Sequence, residues 1–278
     1  MTVQINQHND KLFWFDLEPN NEKEFITIYI LLEDKITLIE TGPACSHDKL
    51  VEGILNLGIN LLDIDYIVPT HIHLDHFGGG GHIMHVCKNA KAVVHPSAVF
   101  HISNIEKWWL GSLEFLGDVA KLYGKPLAIP ESRVISAEDG FKLNLGNKML
   151  QSVHTPGHAP HHITWIKDKL AFVGDSLGLW YPKIGRAFPV TPGYYRHDLA
   201  LQSIRSMSNM NLDELFYTHF GPRNSKGSFQ QILNEFESWM KVVEDGVSQN
   251  LSSKQILDIL FLTQEGLKLT DINHGIHQ

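Results

Sequence analysis

The sequence predicts a layered α/β or α+β sandwich dominated by strands. Runs of β-branched and apolar residues occur in both halves of the chain. Helical segments stand between these runs without the strict strand–helix alternation that is typical of a doubly wound parallel sheet. The sequence has no glycine-rich nucleotide-binding loop of either common kind. A length of 278 residues suits one large α/β domain, so we expect a single domain over residues 1–278.

The first half of the chain predicts two strands joined by a tight turn at Glu33-Asp34, followed by alternating strands and helices. Ser46 is a favourable N-cap for the first helix, and Gly58 is its expected stop. Glycines 78–81 permit a close-packed turn before the second helix. The predicted elements are strands at 25–32, 35–40, 65–69 and 91–95 and helices at 46–57 and 82–87.

The second half opens with a helical pattern at 97–123, where apolar residues recur at steps of three to four. We expect this segment to be a helical insert and residues 226–278 to form a helical C-terminal tail. The stretch 180–195 is rich in proline and aromatic residues and is predicted to be irregular. The other predicted elements are strands at 132–136, 140–145, 148–154, 161–167, 169–174 and 213–217 and helices at 197–207, 226–244 and 252–262.

Composition argues against several classes of partner. The net charge is −8 and no basic cluster occurs, which disfavours nucleic acid. The two cysteines, Cys45 and Cys87, give no disulfide framework. No apolar run has the length of a membrane span, and the N-terminal residues lack the features of a secretory signal. We therefore expect a cytoplasmic protein that acts on a small molecule, without nucleic-acid or membrane partners.

The strongest chemical signal is the segment His71-Ile72-His73-Leu74-Asp75-His76, which offers four metal ligands in six residues. It follows a predicted buried strand and precedes the glycine-rich turn. In an extended segment His71 and His73 point the same way, so one ion can receive both. Asp75 and His76 lie where the chain turns and can face a second ion.

Three later strand ends carry residues of the same kind: His158, Asp175 and His219. Each alone is more often a cap or turn residue than a ligand. Together with the first segment they are sufficient to fill two metal coordination spheres at one sheet edge. A surface histidine cluster is the alternative interpretation.

These segments resemble the metallo-β-lactamase superfamily, in particular its glyoxalase II and lactonase-like branches. The resemblance is carried by LIETG, THIHLDH, TPGHAPHH, GDS and THFGP, in the family's order, from about Leu38 to Pro222. It implies an α+β fold, a four-layer αββα sandwich of two mixed β-sheets flanked by helices. It assigns the first metal to His71, His73 and His158, the second metal to Asp75, His76 and His219, and a bridging position to Asp175.

The ligand set implies a binuclear hydrolase. A water held between two divalent ions has its pKa lowered towards neutrality and supplies a hydroxide that attacks a carbonyl. The substrate is an ester, a lactone or a thioester, and Asp75 is a candidate to carry a proton to the leaving group. Zn²⁺ is the expected metal, with iron or manganese as alternatives that the same ligands accept.

The sequence also offers candidates for residues that surround the ligands. Glu40 stands where relatives carry aspartate, and Thr41, Thr70 and Thr218 are candidates for hydrogen bonds near the metals or for ordinary strand-end packing. His162 matches a second histidine that is common after the TPGH segment, and His161 replaces a glycine. Both can orient substrate or lie at the surface.

The substrate stays open because two branch-specific features differ. Acyl-homoserine lactonases carry a tyrosine three residues after the bridging aspartate, where this chain has Gly178. Residues of the following loop that can replace it are Trp180, Tyr181, Tyr194 and Tyr195. For a glutathione thioester, Arg223 and Lys226 can hold a carboxylate or can belong to a solvated turn.

Two other functions remain alternatives. A mononuclear iron persulfide dioxygenase of the same fold uses only His71, His158 and Asp175. A non-catalytic, metal-stabilised interaction protein would dock through the Trp108-Trp109 segment, which alternatively lines the pocket mouth or a homodimer contact.

Overall fold

The computed structural model describes residues 3–182 and 184–263, and two β-sheets form the centre of the fold. The strands of the first sheet are β1 (Asn6–Asn9), β2 (Leu12–Asp16), β3 (Thr27–Leu32), β4 (Ile36–Ile39), β5 (Ile64–Val68), β6 (Lys91–Val94) and β7 (Val134–Ser136). They lie side by side in chain order. The pairs from β1 to β4 are antiparallel and those from β4 to β7 are parallel, so this sheet is mixed.

The second sheet is also mixed. Its strands are β8 (Lys142–Asn144), β9 (Met149–His154), β10 (Ile163–Lys167), β11 (Leu170–Phe172), β14 (Glu214–Tyr217) and β15 (Gly221–Asn224). They lie in the order β15-β14-β11-β10-β9-β8, and only β11 and β14 pair in parallel among these described strands. A separate hairpin, β12 (Leu179–Tyr181) and β13 (Arg186–Phe188), stands between β11 and β14 in the chain.

Helices flank the two sheets. They are α1 (His47–Asn56), α2 (Leu74–Phe77), α3 (Gly80–Val86), α4 (Val99–Ser103), α5 (Ile105–Leu116), α6 (Asp118–Tyr123), α7 (His197–Ser208), α8 (Ser228–Ser248) and α9 (Ser253–Thr263). No helix in the described part of the chain is long and apolar enough to cross a membrane. Helices α8 and α9 lie in the predicted C-terminal tail, whose residues 264–278 are outside the described residues.

Strand β3 shows how the sequence creates the layers. Its residues alternate in direction, so Ile28 and Ile30 pack on the helices of the first half, whereas Tyr29 and Leu31 pack on the second sheet. Both faces are therefore buried, which explains the continuous apolar run of residues 25–32. Trp165 is fully buried between the sheets, and burial of one such side chain contributes roughly 1.5–3 kcal/mol.

The second sheet has the same two-sided burial. Phe216 faces the first sheet, whereas its neighbours Leu215 and Tyr217 pack on α7 and α8 through Ile204 and Phe236. The resulting order is helices, sheet, sheet, helices. The predicted αββα sandwich is confirmed, and the edge where β5, β11 and β14 end is the edge that carries the candidate ligands.

The structure differs from the sequence-based elements at several places. The predicted helical segment 97–123 is divided into α4, α5 and α6, because Asn104 leaves the helical conformation and Gly117 adopts a φ of 57°. Strands β1, β2, β12, β13 and β15 were not predicted. Strand β1 is short and alternates between half-buried and exposed residues without an apolar side, so it lacks the signal that identified the other strands.

Candidate metal centre

The segment from His71 to His76 changes from an extended chain to a helix at the edge of the first sheet. Ile72 and Leu74 point into the core under the first sheet. His71 and His73, which alternate with these two residues, therefore point the opposite way. The backbone of His73 is extended (φ −62°, ψ 155°), and α2 begins at Leu74, which places Asp75 in its first turn.

The remaining candidate ligands come from ends of the second sheet. His158 lies in the turn after β9. Phe172 of β11 pairs in parallel with Phe216 of β14, so Asp175 and His219 each follow a paired position by three residues and reach the same edge. This parallel pair is the structural reason for the convergence.

Gly174 permits the close approach of Asp175 to the first sheet. Its φ is 49°, and an added Cβ would lie 2.3 Å from Oγ1 of Thr70 and 2.8 Å from Nε2 of His162. A side chain therefore does not fit at this position unless the site moves.

The first metal position is formed by three imidazoles. Nε2 of His71 is 3.0 Å from Nδ1 of His73, and Nε2 of His158 is 2.9 Å from the same atom. Nitrogens bound tetrahedrally to zinc at about 2.0–2.1 Å lie about 3.3 Å apart. The three nitrogens are therefore close to the spacing that one shared ion requires.

The second position is formed by Asp75, His76 and His219. Oδ2 of Asp75 is 3.7 Å from Nε2 of His76 and 3.6 Å from Nε2 of His219. Within each of three overlapping groups the ligand atoms lie within 4.8 Å of one another: His71, His73 and His158; His71, His76 and Asp175; and Asp75, His76 and His219. The structure thus brings together all seven predicted ligands.

Asp175 lies between the two positions. Its Oδ2 is 3.4 Å from Nε2 of His158 and 3.4 Å from Nε2 of His76. Its Oδ1 is 3.6 Å from Nε2 of His219. One carboxylate therefore faces ligands of both positions.

The donor atoms fit bound cations. Within residues 3–182 and 184–263, Nε2 of His76 and Oδ1 of Asp175 are buried and have no hydrogen-bond partner. A buried polar atom without a partner costs about 1–3 kcal/mol. A cation at the centre would satisfy both atoms, so the residues match the metal ions that the ligand pattern implies.

The second nitrogen of four of the imidazoles is held by an acceptor. Nδ1 of His71 faces Oγ1 of Thr70 at 3.1 Å, and Nδ1 of His76 faces Oε1 of Glu40 at 3.2 Å. Backbone carbonyls serve the other two: Val190 for His158 at 3.1 Å and Phe25 for His219 at 2.8 Å. Since these acceptors require a proton on Nδ1, each Nε2 presents its lone pair to the centre when the ring is neutral, which is the form that binds metal.

Glu40 connects both sheets beneath the ligands. It is fully buried, and its Oε1 accepts hydrogen bonds from Oγ1 of Thr70 (2.5 Å) and Oγ1 of Thr218 (2.9 Å) as well as facing His76. Its Oε2 accepts the backbone N–H of Thr70 at 3.3 Å. Thr41 instead bonds to the backbone carbonyl of His76. Glu40 therefore positions His76 directly, and it holds the strand ends that precede His71 and His219.

His162 is buried, so the interpretation that placed it at the surface is wrong. Its Nε2 accepts the backbone N–H of Asp175 at 3.2 Å, which leaves Nδ1–H to donate to Oγ1 of Thr155 at 2.9 Å. The hydroxyl of Thr155 also forms a hydrogen bond with the hydroxyl of Thr164, with the two oxygens 3.0 Å apart. His162 thus holds the backbone of the Asp175 turn. His161 is half-buried, and its Nδ1 faces the backbone N–H of Ile72 at 3.5 Å.

Residues 23–219 match the family model of the metallo-beta-lactamase superfamily, which is well over half of the chain. The chain belongs to this superfamily. It is 27% identical over 247 residues to a metallo-beta-lactamase fold-containing protein of Sulfurisphaera tokodaii, covering 86% of this chain and 90% of that protein. The crystal structure of an archaeal superfamily protein from Sulfolobus tokodaii aligns with a TM-score of 0.65 and 25% identity, covering 78% of this chain and 81% of that chain.

Two further relatives of the superfamily have names that state an activity or an enzyme type. The N-acyl homoserine lactonase AttM of Agrobacterium fabrum is 30% identical over 125 residues, covering 45% of this chain and 44% of the lactonase. Glyoxylase B2 of Dictyostelium discoideum is 25% identical over 205 residues, covering 73% of this chain and 65% of that protein. Both similarities are at low identity.

Electrostatics at the superfamily site favour neutral imidazoles at the first position and an ionised Asp175 between the two positions. Burial lowers the pKa of His71 and of His73 well below the ordinary value, and it also lowers that of His158. Burial opposes ionisation of Asp175, but His76, His219 and His158 hold its pKa well below the usual range. Although burial also opposes a charge on His76, Asp175, Asp75 and Glu40 raise its pKa. A neutral imidazole and an ionised carboxylate are the forms that bind metal.

One expectation for the substrate side changes with the structure. The guanidinium of Arg223 stacks 3.5 Å from the centre of the Trp180 ring and donates to Gln231 at 2.7 Å. Arg223 lies in β15 and is half-buried, so the interpretation that placed it in a solvated turn is wrong. The backbone acceptors Phe25 and Val190 were not predicted, because a carbonyl oxygen is present at every residue and gives no sequence signal.

Proposed function

We propose that the protein is a binuclear metal-dependent hydrolase that cleaves an ester, lactone or thioester of a small molecule. The observation that carries the proposal is the position of Asp175, whose Oδ2 lies 3.4 Å from Nε2 of both His158 and His76. A carboxylate that faces two complete ligand sets suits a pair of ions a few ångströms apart. A single-ion enzyme has no need of the second set.

The relatives support the choice of a carbonyl substrate. AttM is named an N-acyl homoserine lactonase, and a second relative is named Glyoxylase B2. The ligand chemistry is compatible with both names, because the same centre can serve any activated carbonyl. Esters, lactones and thioesters share this carbonyl, so all three belong to the proposed substrate class.

In the proposed enzyme each residue has a defined task. His71, His73 and His158 hold one ion, Asp75, His76 and His219 hold the other, and Asp175 serves both. When bound, the two ions lower the pKa of the attacking water and polarise the carbonyl of the substrate. Zn²⁺ is the proposed metal, since histidine nitrogens and carboxylate oxygens are its common ligands. Asp75 is the proposed carrier of a proton to the leaving group.

Elemental analysis of the purified protein together with an ester, lactone and thioester panel tests the proposal. We expect about two equivalents of zinc per chain, hydrolysis of at least one class, complete loss of activity after chelation, and recovery that requires the second equivalent. One equivalent of iron with oxygen consumption on a glutathione persulfide would instead identify a dioxygenase. Full metal occupancy without any hydrolysis would favour the interaction protein.

Tyr181 is the residue that we propose to assist the lactone carbonyl in place of Gly178. Of the four aromatic candidates, Tyr194 is 87% exposed, Tyr195 bonds to His197, and Trp180 lies under Arg223. Tyr181 is buried, and burial together with the charge of Asp175 raises its pKa to about 12. Its hydroxyl therefore stays protonated and can donate a hydrogen bond, and its ring packs on Phe220, the residue after His219, with centroids 4.8 Å apart.

We expect Tyr181→Phe to lower kcat for lactones by about 10–100-fold, because a hydrogen-bond donor to a developing oxyanion typically contributes that much or more. Metal content and the melting temperature are expected to change little, since the ring and its contact with Phe188 are retained. Steady-state kinetics on the lactone panel measure the effect. Tyr194→Phe, at an exposed position, is the matched control and should retain wild-type kcat. An unchanged kcat for Tyr181→Phe would contradict the proposal that the Tyr181 hydroxyl assists the lactone carbonyl.

A further inference from the structure

The loop between β2 and β3 is built around one carboxylate, Asp16. Its Oδ1 accepts the backbone N–H of Glu18 at 2.9 Å and of Ile26 at 3.2 Å, and its Oδ2 accepts the backbone N–H of Glu24. Asp16 is the last residue of β2, so a single side chain ties the beginning and the end of the loop together.

The loop holds an unusual conformation. Four of its residues that are not glycine have a positive φ: Glu18 (43°), Asn20 (53°), Asn21 (67°) and Glu24 (59°). Such conformations disfavour side chains and persist only where surrounding contacts impose them. The hydrogen bonds to Asp16 include the backbone N–H groups of two of these residues, Glu18 and Glu24.

The consequence of this conformation is the position of the Phe25 carbonyl. That oxygen is 2.8 Å from Nδ1 of His219, and the two residues beside it, Glu24 and Ile26, both donate to Asp16. The loop also contacts the His219 segment through the backbone N–H of Phe220, which donates to Glu24 at 3.2 Å. The Phe25 ring packs on the His219 ring with centroids 5.0 Å apart.

The carbonyl decides which nitrogen of His219 carries the proton. A carbonyl oxygen only accepts, so Nδ1 must be protonated, and in the neutral imidazole Nε2 then presents its lone pair. That lone pair faces Oδ2 of Asp75 and Oδ1 of Asp175, each 3.6 Å away. Without the carbonyl in this place, the alternative tautomer would direct an N–H at the second metal position.

We propose that Asp16 is a positioning residue for His219, which acts by holding the Phe25 carbonyl against Nδ1 and so keeps Nε2 available to the second metal position. The inference rests on the proposed function only in the use of His219 at that position. Asp16 itself touches neither His219 nor any other candidate ligand through a hydrogen bond among the described residues.

The test compares Asp16→Ala and Asp16→Asn with wild type by two measurements that do not use activity. Nitrogen NMR of histidine-labelled, metal-free protein reports the His219 tautomer, with the signal assigned by its loss in His219→Gln. Zinc titration by equilibrium dialysis reports the affinities of the first and second equivalents. Asp65→Ala is the matched control, because Asp65 also accepts a backbone N–H, from Ile36 at 3.0 Å, but at the start of β4.

We expect wild type and Asp65→Ala to show the Nδ1–H tautomer. Asp16→Ala is expected to show a mixture and to bind the second zinc about 10–100-fold more weakly, with the first equivalent unchanged. Asp16→Asn retains the oxygen that serves Glu18 and Ile26 but places an amide against Glu24, so an intermediate loss is expected. It also carries the test if Asp16→Ala does not fold.

Two results would overturn the inference: a wild-type tautomer and second-zinc affinity in both Asp16 variants, or an equal weakening of both equivalents, which would indicate general destabilisation. The outcome is separable from that of the proposed function. A protein that binds two zinc ions and hydrolyses nothing would contradict the proposed reaction and leave the Asp16 comparison fully readable.

Discussion

Asp175→Ala is expected to lower kcat/KM for the best substrate of the panel by about 10³-fold or more, because it removes the carboxylate that faces both ligand sets. The bound metal should fall from two equivalents to one or fewer. The first three imidazoles remain, with Nε2 of His71 and Nε2 of His158 still 3.0 Å and 2.9 Å from Nδ1 of His73. Residual binding is therefore expected at the first position. Steady-state kinetics and elemental analysis measure the two effects.

Asp118→Ala is the control for this prediction. Asp118 lies on α6 with its side chain 91% exposed and pairs only with Lys121 among the described residues. Its replacement should leave both metal equivalents and the rate unchanged. If Asp175→Ala retained two equivalents and more than about a tenth of the activity, a value within the range of an ordinary positioning residue, the bridging role would be contradicted.

The convergence of the candidate ligands could be predicted from the sequence because these side chains stand at strand ends. His71 to His76 form a dense local pattern, and Asp175 and His219 each follow an apolar strand. Parallel pairing of β11 with β14 then brings the last two to one edge. The sequence alone shows both the ligand type of these residues and the strand ends at which they stand.

The acceptors that hold the ligands could not be predicted in the same way. The carbonyls of Phe25 and Val190 serve His219 and His158, and their use depends on backbone geometry in loops. The loop that delivers Phe25 includes residues such as Asn21 and Glu24 at positive φ. No local preference requires glutamate in that conformation, so only the folded contacts explain it.

The predicted helix boundaries were wrong where tertiary packing overrides the local sequence pattern. The apolar repeat of residues 97–123 continues through Gly117, although the chain turns there. Trp108 and Trp109 pack partly against the core between the first sheet and its helices, so much of their surface is not available for docking. The exposed apolar residues of α5 are instead Leu110 and Phe115. The apolar repeat thus predicted that this segment is helical but not where each helix ends.

The longer side chain of Glu40 was noted in the sequence, and its contacts could be assigned only from the structure. It lies at a φ of 66° at the end of β4, a conformation that costs a residue with a side chain about 1 kcal/mol or more. The cost is offset because Glu40 then reaches Thr70 on the first sheet and Thr218 on the second. Because Glu40 contacts both sheets and a candidate ligand, its replacement should affect stability and metal binding together.

Glu40→Gln is expected to lower the free energy of unfolding by about 2–3 kcal/mol and to weaken the second zinc by about 10–100-fold. The new amide cannot accept from all of its present donors, so at least one of the Thr70 N–H, the Thr218 hydroxyl and His76 Nδ1–H loses its buried acceptor. Urea denaturation and zinc titration measure the two changes. Glu237→Gln removes only an exposed pair with Arg205 and should cost less than about 1 kcal/mol. Wild-type stability in Glu40→Gln would contradict this role. Removal of a buried, fully hydrogen-bonded carboxylate that joins the two sheets must lower the free energy of unfolding.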